Sequence, residues 1–332
     1  MADKIYDCII IGGGPAGLGA ALYASRDGFS TLVIEKFYPG GQIATTDRID
    51  NYPGMPAVGG QELVTKMFEQ VQSFGPDMKM GRGAESVKRL DDGTFEVDCK
   101  KVKYIGKCVI LAPGSSYRKL GVPGEEQFRN SGAGVSYCGT CDAPFFKGKK
   151  VLAVGGGNTA VEETLHLAKF ASEITLIHRR DEFRATKILI DELEAKAAEP
   201  NSNLKLKYST VVKSIHGDGK VERAVLENVK TGRHEDFQCD GVFVFVGMVP
   251  NTEFLKGFVE LNNAGFIKCE PSCLRTAIPG VFVAGDCRVG AAMQLVTAIA
   301  DGVICALMMK NYFREPKWWN EKVSGLLTPE TW

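Results

Sequence analysis

The chain has 332 residues, a length that suggests two domains, and its 40 basic residues balance 40 acidic ones within 44% hydrophobic content. That balance leaves no electrostatic footprint for nucleic acid or an anionic membrane surface, and the opening Met1-Ala2-Asp3-Lys4 lacks the basic-then-apolar layout of a signal peptide. The best candidate for a membrane span, residues 291–309, is interrupted by Gln294, Asp301 and Gly302, which suit a buried helix better, so no membrane contact is expected.

Residues 6–11 form an apolar run that reads as a strand, followed at once by Gly12-Gly13-Gly14-Pro15-Ala16-Gly17. Residues 18–26 then read as an alanine-rich helix and 31–34 as a second strand ending in Glu35. This is the strand, glycine turn, helix, strand, acid layout of a dinucleotide-binding unit. The glycines let backbone approach a pyrophosphate at a helix N-terminus, and Glu35 is placed to accept hydrogen bonds from ribose hydroxyls. Residues 61–74 follow as an amphipathic helix, and 94–107 alternate like a β-meander after the Asp91-Asp92-Gly93 turn. A buried strand at 108–112 ends at Pro113-Gly114, and a domain exit is expected near Ser116.

The first pattern then recurs. Residues 149–154 read as a strand before Gly155-Gly156-Gly157-Asn158-Thr159-Ala160, with a helix at 161–170 and a closing strand at 174–177. The interval from Gly12 to Glu35 equals that from Gly155 to His178, but the acid is replaced by His178-Arg179-Arg180, with Arg184 one turn later. A carboxylate there would repel a 2′-phosphate, whereas guanidinium groups bind one, so the second turn is expected to take NADP in preference to NAD. A second meander is expected over 205–236, a buried strand over 241–247, and a further strand over 280–286 that ends on Asp286. A long helix is expected from about Gly290. The fold class implied is α/β: two Rossmann-like, three-layer dinucleotide-binding domains, one inserted in the other. The boundaries expected are 1–116 and 247–332 for the outer domain and 117–246 for the inserted one.

Between the two glycine turns lies Cys138-Gly139-Thr140-Cys141-Asp142. Two thiols at this spacing can be a redox couple, half a zinc site or two core residues. A chain with two nucleotide signatures favours the redox couple, because nucleotides can supply it with electrons. The other eight of the ten cysteines read as small buried hydrophobes, and without a leader sequence they suggest cytoplasmic thiols rather than a disulfide framework. Cys269 and Cys273 form a wider pair with no second ligand pair nearby, so no metal site is expected.

On these residues the chain resembles the low-molecular-weight, bacterial-type thioredoxin reductases of the class II pyridine nucleotide-disulfide oxidoreductase family. The most specific stretches are Gly134-Val135-Ser136, Cys138 to Asp142, Gly155 to Glu163, and His178 to Arg184. The resemblance implies FAD at the first glycine turn and NADPH at the second, with thioredoxin as partner and a homodimer as working form. It extends the FAD set from Gly12, Gly14, Pro15, Ala16, Gly17 and Glu35 to Gly41, Gln42, Asn51, Ala84, Gly114, Asp286 and Gln294. The NADPH set it implies is Gly155, Gly157, Asn158, Thr159, Ala160, His178, Arg179, Arg180 and Arg184. It also makes Cys141 the flavin-side sulfur and Cys138 the one that attacks the partner. Asp142 is the candidate proton donor and acceptor, and equally a candidate helix N-cap after the dithiol turn.

The chain departs from the family pattern in four places. Gly139 stands where alanine is usual, Ala143-Pro144 follow Asp142 where glycine is common, Met293 replaces a frequent arginine, and a tail runs through Trp318-Trp319 to Trp332. Rival readings are a flavin-dependent dithiol oxidase or a reductase with a partner other than thioredoxin. The arginines after the second turn disfavour an oxidase that ignores NADPH. Because the dithiol and the NADPH turn share one domain, a rotation at the two chain crossings is expected during turnover.

Overall fold

The computed structural model describes residues 4–46, 48–130 and 133–320. Two compact units emerge, Met1–Ser116 with Val249–Trp332, and Tyr117–Met248; the second crossing thus lies two residues beyond the expected 247. The end of the tail, with Trp332, lies outside the described residues.

In the first unit a parallel sheet runs Asp77–Lys79, Thr31–Ile34, Ile5–Ile11 and Lys103–Leu111, each strand pairing with the next. Strand Lys103–Leu111 then forks. Its first half pairs antiparallel with Phe95–Asp98, which pairs with Ser86–Arg89, while Val109 to Leu111 pair in parallel with Val281–Val283. The expected meander strand and the expected buried strand at 108–112 are therefore one continuous strand. Side chains alternate across the sheet, so Cys8 and Ile10 pack with the helices on one face while Ile9 and Ile11 join Phe95, Val97 and Leu255 on the other. Both faces are covered over 8–11, 32–34 and 108–111, which is why these stretches read as apolar runs.

Helix Pro15–Arg26 lies directly on helix Leu295–Arg314. A Cβ at Gly302 would stand 1.9 Å from the Ala16 carbonyl oxygen, and one at Gly19 would stand 2.8 Å from that of Ile299. Small residues thus let the two backbones touch. The second helix begins five residues later than expected, with Gln294 at its N-cap position. It is long and apolar enough to cross a membrane by length and composition alone. Beyond it, Trp319 packs edge-on against Phe282 and Tyr312, and the Arg275 guanidinium donates to the Trp318 carbonyl at 2.9 Å.

The second unit repeats the plan with the parallel order Leu204–Lys207, Glu173–Ile177, Lys150–Gly155, Gly241–Phe245 and Val135–Ser136. Residues 204–207, expected to start a meander, close this sheet instead. The antiparallel sheet is formed by Thr210–His216, Arg223–Asn228 and His234–Gln238. Leu152 and Val154 pack towards it, while Val151 and Ala153 pack under helices Asn158–Leu167 and Lys187–Ala198, the latter not anticipated from sequence. Strands Ser115–Tyr117 and Met248–Pro250, the two crossings, pair with each other.

Candidate functional site

The first glycine turn is shaped by close backbone approach. Gly12 has φ of +111°, and a Cβ there would lie 2.1 Å from the Ala112 carbonyl oxygen; one at Gly17 would lie 1.9 Å from that of Gly12. Gly14 then caps helix Pro15–Arg26 with Pro15 at its first position, where a missing N–H costs nothing. Glu35 takes the Gly13 N–H at 2.6 Å on one carboxylate oxygen and the Phe37 N–H at 2.8 Å on the other. The acid is thereby fixed beside the turn.

Other segments converge on the same carboxyl ends of the strands. The Gly40 N–H donates to the Gly13 carbonyl at 2.8 Å, and Gly41 faces Gly14. Gln42 donates to the Ser115 carbonyl at 2.6 Å, and Asn51 to the Gln294 side chain at 3.3 Å. Gly114, with φ of +66°, accepts from the Asn251 N–H at 3.0 Å. Ala84 is two residues from Arg82, whose N–H donates to the Glu35 carbonyl at 3.0 Å.

Asp286 follows Gly285, whose N–H is held by Asp301 at 2.9 Å; Arg288 forms a two-pronged pair with the same carboxylate, at 2.6 and 2.9 Å. This largely buried pair braces the loop; the sequence marks Asp301 as an acid inside an apolar helix, but not Arg288 as its partner. Asp286 itself makes no hydrogen bond among the described residues. Desolvation, and secondly the neighbouring charge of Asp301, push its carboxyl up to about 6. A half-buried carboxylate with no hydrogen-bond partner among the described residues, beside a glycine cradle, suits the hydroxyl groups of a dinucleotide such as FAD, so the residues fit that group.

In the second unit, Gly155 abuts Ala160 and the Phe245 carbonyl, where a Cβ would meet either at 2.5 Å. Gly157 has open space around it, and it caps helix Asn158–Leu167 without a side-chain bond, at the end where a helix leaves N–H groups for an anion. Asn158 accepts the Thr186 N–H at 2.9 Å, Thr159 is exposed and Ala160 is buried. Arg179, Arg180 and Arg184 are exposed and form no ion pair among the described residues, while the Arg184 N–H ties the loop to the Gly156 carbonyl at 2.6 Å. Three unpaired guanidinium groups suit the 2′-phosphate of NADPH.

His178 is placed differently from the arginines. Its ring is 5% exposed, lies under Gly156 and stacks on Phe183, and its Nε2 has no partner. Burial, followed by the charges of Arg184, Arg180 and Arg179, lowers its pKa, so it is neutral at pH 7 and shapes the turn from beneath.

Cys138 and Cys141 form a disulfide, and both are half-buried. Cys138 caps the short helix Gly139–Asp142, its sulfur accepting the Cys141 N–H at 3.2 Å. Ser136 donates to the Asp142 carboxylate at 2.5 Å and accepts the Cys138 N–H at 3.1 Å, which links acid and dithiol turn. Asp142 does occupy the N-cap position of the next turn, Ala143–Phe146, but its side chain makes no capping bond. Glu163 also grips the dithiol turn, through Thr140. The eight free cysteines are buried apart from the half-buried Cys269, and burial pushes thiols such as Cys239 and Cys287 up to about 12. Reactivity is therefore concentrated at the disulfide. Among the described residues no cluster of three or more His, Cys, Asp or Glu is placed to hold a metal.

Residues 6–302 match the family model described as pyridine nucleotide-disulphide oxidoreductase. A thioredoxin reductase of Bacillus subtilis (strain 168) is 42% identical over 316 residues, covering 94% of this chain and 96% of the relative. A thioredoxin reductase structure from Streptococcus pyogenes MGAS5005 superposes with TM-score 0.87 at 40% identity, over 94% of this chain and 99% of that one. One from Giardia duodenalis superposes with TM-score 0.86 at 30% identity, over 94% and 100%. With both glycine turns and the disulfide present at these similarities, the chain belongs to the pyridine nucleotide-disulphide oxidoreductase family, among its thioredoxin reductases.

Proposed function

We propose that this chain reduces the disulfide of thioredoxin with electrons from NADPH, using FAD and the Cys138–Cys141 pair. The observation that carries the reading is the Cys138–Cys141 disulfide, tethered to the helix that opens at the arginine-flanked glycine turn. The cofactors supply hydride transfer and two-electron storage when bound; the chain binds and orients them. Gly12 to Gly17, Glu35 and Asp286 would hold FAD, with Gly41, Gln42, Asn51, Ala84, Gly114 and Gln294 around it. Gly155 to Ala160 and the three arginines would hold NADPH, over His178.

Once reduced, the pair works by thiol–disulfide exchange. The Cys138 thiolate attacks one sulfur of the partner disulfide, forming a mixed disulfide and releasing one partner thiolate. Cys141 then attacks the Cys138 sulfur, which restores the intrachain disulfide and releases the second partner thiolate. Two electrons pass to the partner, and Asp142 gives and takes the accompanying proton. Rotation of Tyr117–Met248 about the paired crossings lets the dithiol serve flavin and partner in turn. The same reading makes the working form a cytoplasmic homodimer.

Anaerobic titration of the purified yellow protein with NADPH or NADH, with and without thioredoxin, tests the proposal. Flavin bleaching by NADPH at far lower concentration than by NADH, and recovery of colour on adding oxidised thioredoxin, are expected. Bleaching by NADH alone, or no recovery with thioredoxin, refutes it. A cross-link between the two units should permit at most one turnover, whereas undiminished multiple turnover removes the rotation.

A further inference from the structure

The residues between the two cysteines are held by one carboxylate. The Thr140 N–H donates to Glu163 Oε2 at 2.6 Å and the Thr140 hydroxyl donates to Oε1 at 2.9 Å. Glu163 belongs to helix Asn158–Leu167 and forms no ion pair among the described residues. Gly139 makes room for it, since a Cβ there would stand 2.3 Å from Oε2 and 3.2 Å from the Phe245 ring. Glycine at position 139 thus has a physical reason in this chain: any side chain there would displace the Glu163 carboxylate.

The consequence follows from which N–H groups reach Cys138. A side chain at a helix N-cap accepts from the second or third N–H of the helix, here those of Thr140 and Cys141. The Cys141 N–H reaches the Cys138 sulfur at 3.2 Å, but that of Thr140 is taken by Glu163. A negative charge beside the turn and the loss of one donor both disfavour a thiolate at Cys138. A thiolate stabilised less leaves the reduced pair less stable, so the pair donates electrons more readily.

We propose that Glu163 is a positioning residue that, through Thr140, holds the Cys138–Cys141 turn and keeps this couple strongly reducing. The inference rests on the reading of the pair as the exchanging dithiol. Two variants probe it from opposite sides. Glu163→Gln removes the charge and keeps the size, and Gly139→Ala pushes the carboxylate off the Thr140 N–H.

The full-length, flavin-loaded protein is equilibrated in glutathione buffers, and the dithiol fraction is read by thiol alkylation and mass. The rate of Cys138 alkylation by iodoacetamide is followed against pH in the reduced protein. Both variants should shift the equilibrium towards dithiol by up to about tenfold, about 30 mV, and should move the alkylation profile to lower pH. A purely structural clamp would lower the melting temperature and leave both readouts in place. Equilibria and pH profiles within twofold of the unsubstituted protein, in both variants, overturn the proposal. The functional reading itself falls instead if the unsubstituted protein, reduced by NADPH, passes no electrons to thioredoxin, which separates that failure from this one.

Discussion

Replacing Asp286 with asparagine removes a carboxylate that the fold desolvates without providing a partner. Its pKa rises from the ordinary 3.8 to about 6, with burial as the main cause, the Asp301 charge adding to it and Arg288 offsetting part. Raised above its unfolded value, the group binds its proton more tightly in the folded state. Stability therefore falls as pH rises from about 4 to about 6, and the cost remains above that window. A shift of about two units at about 1.4 kcal/mol each makes the cost about 3 kcal/mol at pH 7. Asp286→Asn should recover most of it in flavin-free protein at pH 7 and little below about pH 4. Urea unfolding of both proteins at matched pH values checks this, because other titrating groups cancel in the difference. The flavin-loaded protein should show the opposite sign, with weaker FAD retention in the variant, because the carboxylate's acceptors are lost to the ligand. A stability difference that does not change between pH 4 and 7, or a flavin-free variant less stable at pH 7, refutes the reasoning.

Gly302→Ala drives a methyl group into the Ala16 carbonyl, where the available 1.9 Å is far below contact distance. It should destabilise at or above the top of the about 1–3 kcal/mol range for overpacking, visible as a drop of several degrees in melting temperature and as flavin loss. Removing Arg179 or Arg180 as alanine should raise KM for NADPH about tenfold each and leave that for NADH nearly unchanged, following the strength of hydrogen bonds to charged groups. Equal loss with both nucleotides would detach the arginines from the 2′-phosphate. Cys138→Ser should preserve flavin bleaching by NADPH and abolish thioredoxin reduction, measured in the same anaerobic cuvette.

The parts of the fold legible from sequence are those set by neighbouring residues. The spacing of Gly12, Gly14 and Gly17 encodes a strand-to-helix turn, and the structure sets Glu35 against the first turn and Arg184 against the second. Alternation failed where one strand changes partners: Lys103–Leu111 is antiparallel to one neighbour and parallel to two others, so its pattern shifts midway. Contacts between distant residues were not legible either. Glu163 reaches Thr140 across a helix and a strand, and Asp301 reaches Arg288 from a different element. His178 shares the basic run with its neighbours in sequence, but its backbone still pairs with Lys207 and Thr210 and its ring lies under Gly156, while Arg179 and Arg180 are exposed.

The seam left by the inserted segment is closed within each unit. In the outer one, Ser116 and the side chain and N–H of Asn251 are hydrogen-bonded across the gap, the latter two to Pro113 and Gly114; in the inserted one, the Arg118 N–H meets the Gly247 carbonyl at 2.9 Å. Each unit thus presents two chain ends that are already neighbours. Bridging them needs only a short turn, and closing so small a ring adds little entropy cost. The inserted unit thus leaves and rejoins its host through one pair of neighbouring strands. A shorter or longer insert between Ser116 and Val249 would leave the register of the host sheet unchanged, because that sheet's strands all lie outside the inserted segment.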